Sequence, residues 1–255
     1  MATFTSDART DSVTDTTHRP NHRAPATPSV GAGAKYIVEA IGTFVLVFTV
    51  GAAVASGTSL APLAIGAALM VMVYAGGHVS GGHYNPAVTL AVLLRRRIGL
   101  RDALAYWIVQ LGAGVLAALL VRTVIDPIAA AKTATLTLSG HSLVAAFVVE
   151  LLFTAALCYV VLNVATSKSH PDNSFYGLAI GFTVVAGALA VGGISGGAFN
   201  PAIALGAMVT GLFQWSNIWI YLFADFLGAA AAAWAFLFVL PAEKATGDIE
   251  AAAAE

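Results

Sequence analysis

The stretch Ser80-Gly81-Gly82-His83-Tyr84-Asn85-Pro86-Ala87 returns 115 residues later as Ser195-Gly196-Gly197-Ala198-Phe199-Asn200-Pro201-Ala202. Six of the eight residues match, and flanking positions keep the offset: Gly66 with Gly181, Gly77 with Gly192, Tyr106 with Tyr221. A block of this length does not recur by chance in register with its flanks. The chain is therefore an internal duplication, and the repeated block is its working part. Each copy opens an apolar run of only nine residues, 86–94 and 201–209. At 1.5 Å per residue such a run reaches about 13–14 Å as a helix, half the depth of a bilayer.

Composition sets the environment. The 255 residues are 58% hydrophobic and 10% charged, with a mean hydropathy of +0.83. Soluble domains carry about 25% charged residues, so the chain reads as a polytopic membrane protein whose surroundings are the lipid bilayer. A net charge of −1 offers no basic field to recruit phosphate, which argues against a nucleic-acid partner. Cys158 is the only cysteine, which excludes an intrachain disulfide and a cysteine metal cluster; it reads as a small buried hydrophobe. No nucleophile–base pair, metal-ligand cluster or phosphate loop is present, so an enzyme is disfavoured and no cofactor or metal is expected.

Six segments reach the roughly 20 residues that a helix needs to cross the hydrocarbon: 36–56, 60–79, 103–125, 141–165, 176–194 and 217–240. The fold class is thus an all-α membrane protein with six transmembrane helices plus two re-entrant half-helices. The densest basic cluster is Arg95, Arg96, Arg97 and Arg101. Placing it in the cytoplasm also puts there Arg9, Arg19, Arg23, Lys35, Lys168 and Lys244, leaving only Arg122 and Lys132 outside. The positive-inside rule then makes both termini cytoplasmic, in a cell membrane. Residues 1–34 lack the apolar core of a signal peptide and read as a disordered cytoplasmic tail. Residues 243–255 read as a short polar, alanine-rich tail with no assignable role.

Three spans per half is an odd number, so the second half is inserted upside down relative to the first. Inverted repeats place their shared site near the bilayer midplane, where broken helices meet. The first half-helix enters from the cytoplasm and the second from outside, so that Asn85 and Asn200 converge. Asparagine is a favoured N-cap and proline suits the first helical position. If both side-chain oxygens accept helix N–H groups, the amide NH2 groups remain as donors. Two helix amino termini, each worth about half a positive charge, add to the field. A water between them turns its oxygen to both asparagines and cannot hand a proton along, while a cation meets a positive barrier. The predicted function is passage of small uncharged molecules without proton leakage. One Asn-Pro alone would mean only a helix start; two copies opening half-length helices in inverted halves carry the functional reading. Gly76, Gly77, Gly81, Gly82 and Gly192, Gly193, Gly196, Gly197 suit re-entrant loops buried in protein or lining a wet cavity. Their four-residue spacings would also suit plain helix packing.

At His78-Val79-Ser80-Gly81-Gly82-His83-Tyr84-Asn85-Pro86-Ala87 the chain resembles the major intrinsic protein family, the aquaporins and aquaglyceroporins, and the resemblance runs from about residue 36 to 240. It implies a channel domain over 35–242, with repeat halves at about 35–125 and 141–241. It also implies one pore per subunit, a homotetramer, and water and small uncharged solutes as cargo. Glu39 and Glu150, each followed four residues later by Thr43 and Thr154, match glutamates that brace the re-entrant loops in the family. A carboxylate inside a membrane is otherwise a candidate proton relay. Four family positions form a constriction on the outer side, and they fall here at Ile65, Ala188, Gly197 and Ile203. Ile203 stands where relatives often carry arginine. All four lack a polar side chain, so the filter should be wider than in water-selective relatives. It resembles that of some plant vacuolar members, which by analogy suggests ammonia, hydrogen peroxide or urea beside water. Glycerol facilitators carry an aspartate shortly after the second motif, where this chain has Ile203-Ala204-Leu205. The alternatives are a glycerol-type facilitator, or a proton- or ion-coupled transporter using Glu39, Glu150 and Asp225. Asp225 is the offset counterpart of Gln110, so both are expected to face the bundle interior. His78 and His83 either order the first loop by hydrogen bonds or gate the pore with pH.

Overall fold

Helix α1 (Ala32–Ala55) buries Glu39, Gly42, Thr43, Leu46, Val47, Val50 and Gly51. That is an i, i+3, i+4, i+7 stripe, the signature of one helix face turned inward. Ile37 and Ile41 lie on the other face and are exposed. The buried stripe is thus more polar and smaller than the exposed one, the reverse of a soluble helix and the arrangement expected where lipid is the solvent.

This computed structural model describes residues 30–125, 135–171 and 173–244. The expectations for residues 1–29 and 245–255, and the placement of Arg9, Arg19, Arg23 and Lys132, lie outside the described residues. After α1 come α2 (Ala61–Ser80), the half-helix α3 (Pro86–Leu94) and α4 (Leu100–Leu120). The second half repeats the order with α5 (His141–Val161), α6 (Tyr176–Ser195), the half-helix α7 (Pro201–Thr210) and α8 (Ile218–Val239). Among the described residues six helices are long and apolar enough to cross a membrane. The half-helix α3 has the bounds expected from sequence, and α7 runs one residue further. Helices α4 and α5 continue as π-helical turns, Val121–Ile125 and Leu162–Thr166, which bring them to the length that hydropathy predicts.

The halves interlock. Helix α1 packs on α2 and α4, and α5 packs on α6 and α8. Between halves, α2 crosses α6 at Gly66 and Gly181: a Cβ on either would lie 2.6 or 2.5 Å from the other's carbonyl oxygen. Small residues here let the two backbones touch. Each half-helix lies against the last span of the opposite half, α3 on α8 and α7 on α4.

An arginine stands at the C-terminal end of each half-helix, the sign that the helix dipole favours there. Arg122 Nη1 donates to Val209 O of α7 at 2.7 Å. At the end of α3, Arg95 is buried; its Nη2 lies 2.5 Å from Glu243 Oε2, and its Nη1 donates to the Glu243 carbonyl. The guanidinium also sits 5.0 Å from the Phe236 ring. Glu243, the first residue of the expected tail, is therefore packed into the bundle end. Its Oε1 accepts from Ser167 Oγ, Ser169 N and Ser169 Oγ at 2.7, 2.8 and 3.0 Å. Burial pushes the Glu243 carboxyl up, but these donors and Arg95 outweigh it and hold the group at about 2.

Candidate functional site

Helices α2 and α6 stop at glycines in the left-handed region, Gly81 (φ 91°) and Gly196 (φ 90°). Without a Cβ this conformation carries no steric penalty. Three residues before each capping asparagine the chain does this again with a second glycine, Gly82 and Gly197, and then an aromatic residue does it too: Tyr84 and Phe199 both have φ 48°. For a bulky residue that is a strained backbone, of order 1–3 kcal/mol, held only by what surrounds it.

What surrounds it is a buried carboxylate on each side. Glu39 Oε1 accepts from Ser80 Oγ (2.7 Å) and His83 N (2.9 Å), and its Oε2 accepts from Tyr84 N (2.7 Å). In the second half Glu150 Oε1 accepts from Ser195 Oγ (2.5 Å) and Ala198 N (3.0 Å), and Oε2 from Phe199 N (2.7 Å). The four backbone N–H groups among these donors have no helix or strand partner at membrane depth. Tyr106 and Tyr221 then close each loop, donating to Ser80 O (2.6 Å) and Ser195 O (2.7 Å). The Tyr84 side chain lies in a slot left by Gly42 and Gly76, where a Cβ would come within 2.1 Å of the ring and 2.2 Å of the hydroxyl respectively. Its hydroxyl donates to Met72 O at 3.0 Å.

The strain aims two carbonyls. Asn85 Nδ2 donates to Phe199 O, and Asn200 Nδ2 donates to Tyr84 O, each at 2.9 Å. Both side-chain oxygens cap their own helices, accepting from Ala87 N (2.8 Å) and Ala202 N (2.9 Å). An amide NH2 holds two hydrogens, so each asparagine keeps one N–H beyond the cross-loop bond. The sequence reading left both hydrogens free; the structure commits one of each pair to locking the amide plane.

Three cavities lie in file through this point. On the side away from the arginine cluster, a cavity of about 410 Å³ brings together Ile65, Ala188, Gly197 and Ile203, with Leu136 and Phe213 at its wall. The middle cavity, lined by Asn85, Asn200, His83 and Ile203, has about 10 Å³, room for roughly one water. On the arginine side a cavity of about 570 Å³ is lined by His78, His83, Lys35, Tyr106 and Lys168. Ile203 belongs to the first two and His83 to the last two, so the path is continuous in its walls. Neither large cavity has a carboxylate wall shared with the other: Glu39, Glu150 and Asp225 are wholly buried and line none of the three.

His83 is fixed by its neighbours. Its Nδ1 lies 3.0 Å from Thr89 Oγ1, and the ring stands edge-on to Tyr106 at 5.2 Å. The Thr89 hydroxyl donates to Asn85 O (3.1 Å) and accepts from Gln110 Nε2 (3.1 Å). Its one hydrogen being used, Thr89 accepts from Nδ1–H, and the network assigns Nε2 as an acceptor. His78 is exposed at the arginine-side cavity. Thr89 and the left-handed aromatics went unmarked in the sequence reading; the offset from Tyr84 to Phe199 was the available signal.

Two half-helices meeting cap to cap between inverted repeats, on a lined path through six spans, define a multi-pass membrane channel. Residues 35–236 match the family model described as Major intrinsic protein, and the chain belongs to that family. It is 39% identical over 207 residues to Glycerol uptake facilitator protein-like 6 of Lactiplantibacillus plantarum, covering 78% of this chain and 94% of that one. It is 34% identical over 245 residues to Nodulin-26 of Glycine max, covering 91% and 87% respectively. The fold matches the X-ray structure of the aquaglyceroporin from Plasmodium falciparum with a TM-score of 0.68 at 21% identity, over 84% of this chain and 99% of that one.

Proposed function

We infer that the chain is a passive channel for water and small neutral solutes, in which Asn85 and Asn200 form the point where protons and cations are refused. The observation that carries this reading is the one-water cavity at the paired asparagines. A single water there receives an N–H from each side, and the two helix amino termini behind them disfavour a positive charge. Pro86, Ala87, Pro201 and Ala202 serve by starting the half-helices at the right depth.

Ile65, Ala188, Gly197 and Ile203 are assigned the role of selectivity filter. No charged side chain stands among them, which favours solutes larger and less polar than water alone would require: urea, ammonia, hydrogen peroxide and glycerol are the set to test. Glu39 and Glu150 act as braces for the two loops. Their burial away from the path, with that of Asp225, supports bracing over a proton-coupled transporter. His83, tied to Thr89, is assigned to ordering the loop, and His78, exposed at the arginine-side cavity, remains the gating candidate. The arginine-rich side faces the cytoplasm, with both termini there, in a cell membrane, and the assembly is a homotetramer.

The test is solute-driven reswelling of proteoliposomes, with membrane current recorded in parallel. Downhill entry of urea or glycerol without current supports the passive reading. Accumulation against a gradient, or current that follows a proton gradient, would replace it with the coupled transporter.

A further inference from the structure

The two braces differ in one buried residue. In the first half Gln110 Nε2 donates to Glu39 Oε2 at 2.9 Å. Its counterpart at the 115-residue offset is Asp225 on α8, which as an ionised carboxylate would have no hydrogen to give. Asp225 and Glu150 are both wholly buried, and their carboxyl groups are within hydrogen-bonding contact of each other. Thr154 Oγ1 donates to Asp225 Oδ1 at 2.9 Å. Oδ2 has no donor partner.

The other groups packed around the pair supply no positive charge. From α5 there is the buried thiol of Cys158, and from α8 the hydroxyl of Tyr221, which is directed to Ser195 O at 2.7 Å. Among the described residues no Lys, Arg or His acts on Asp225. Two ionised carboxylates here would face each other acceptor to acceptor, wholly buried inside a membrane. Like charges in contact at such depth cannot both persist.

We propose that Asp225 and Glu150 form a proton-binding site, holding one proton on Asp225 Oδ2 and donating it to Glu150. Thr154 decides which oxygen carries it: by donating to Oδ1 it fixes that atom as the carbonyl, and Oδ2 becomes the hydroxyl. The neutral acid then does for Glu150 what the Gln110 amide does for Glu39. Glu150 in turn holds Ala198 N and Phe199 N, so the bound proton stands behind the loop that carries Asn200. Because neither carboxyl lines the path, the proton is resident and not cargo.

Infrared spectroscopy of the full chain in proteoliposomes tests this. The expected result is a protonated-carboxyl C=O stretch that survives at neutral pH and is lost in Asp225→Asn. A neutral-pH spectrum without such a band, or a band unchanged in Asp225→Asn, overturns the proposal. Thr154→Val gives a second reading should that variant fail to insert. Removing the hydrogen bond to Oδ1 is expected to shift the band to higher frequency, and an unshifted band contradicts the assignment to Asp225.

Discussion

Asn85 and Phe199, 114 residues apart, are joined by a 2.9 Å hydrogen bond from side-chain amide to backbone carbonyl, and Asn200 returns the same bond to Tyr84. Each re-entrant loop thus holds the other's asparagine. The amides cannot rotate without breaking a buried bond, so the remaining N–H of each keeps a fixed direction. Preorganised donors are what orienting a passing water requires.

Replacing Asn85 by alanine removes the cap on α3 and leaves Phe199 O without its partner. The cap is worth about 1 kcal/mol, and an unsatisfied buried carbonyl costs about 1–3 kcal/mol. Asn85→Ala is therefore expected to lose about 2–4 kcal/mol of stability, seen as a lower unfolding temperature, together with reduced water permeability. Retention of both would show that the cross-loop bond is dispensable.

Glu39 accepts four hydrogen bonds, from Ser80, His83, Tyr84 and Gln110. In Glu39→Gln one oxygen becomes an NH2 that must face at least one donor. The cost is about 2–3 kcal/mol, as hydrogen bonds to a charged acceptor are lost. Thermal unfolding in detergent measures it, with Ser80→Ala as a milder comparison that removes one donor only.

Ile203 lines both the middle cavity and the one opposite the arginine cluster. Ile203→Arg narrows that junction and adds a cation. Urea flux should fall by about tenfold, the effect of ~1.4 kcal/mol of added barrier, with water flux less affected. Unchanged urea flux in a well-expressed variant would remove Ile203 from the filter.

The Glu243 carboxyl is held at about 2, below the ordinary glutamate value of about 4.3. A depressed folded value means stability that is present above the unfolded value and lost as pH falls through the folded one. Melting temperature should therefore hold from neutral pH to about 5 and decline from about 4 toward 2. Glu243→Gln leaves buried Arg95 without its anion, costing about 3 kcal/mol at neutral pH, and removes this group's part of the acid decline. A variant that melts like the parent at neutral pH would refute the pairing.

The half-helices were legible because their signals are local: Asn as cap, Pro at the first turn, and a run too short to span. The duplication made Tyr106, Tyr221, Gln110 and Asp225 legible as equivalent pairs. Which side of each span faces inward was not, because lipid accepts Ile37 and Ile41 as readily as a core does. The inward stripe of α1 is marked by Glu39, Gly42 and Thr43 instead. Arg95 was read with its neighbours as a topological charge, since its partner Glu243 lies 148 residues away. The left-handed Tyr84 and Phe199 carry no residue-level signal either, because their strain is held by Glu39 and Glu150 from other helices.

The central claim is that water passes the paired asparagines and protons do not. Stopped-flow shrinkage of proteoliposomes in an impermeant osmolyte, with a trapped pH dye read in the same vesicles under a proton gradient, tests it most directly. The account predicts shrinkage much faster than in protein-free vesicles, with a low activation energy and no added proton flux. Shrinkage no faster than bare lipid, or proton entry that rises with the protein content, would contradict it.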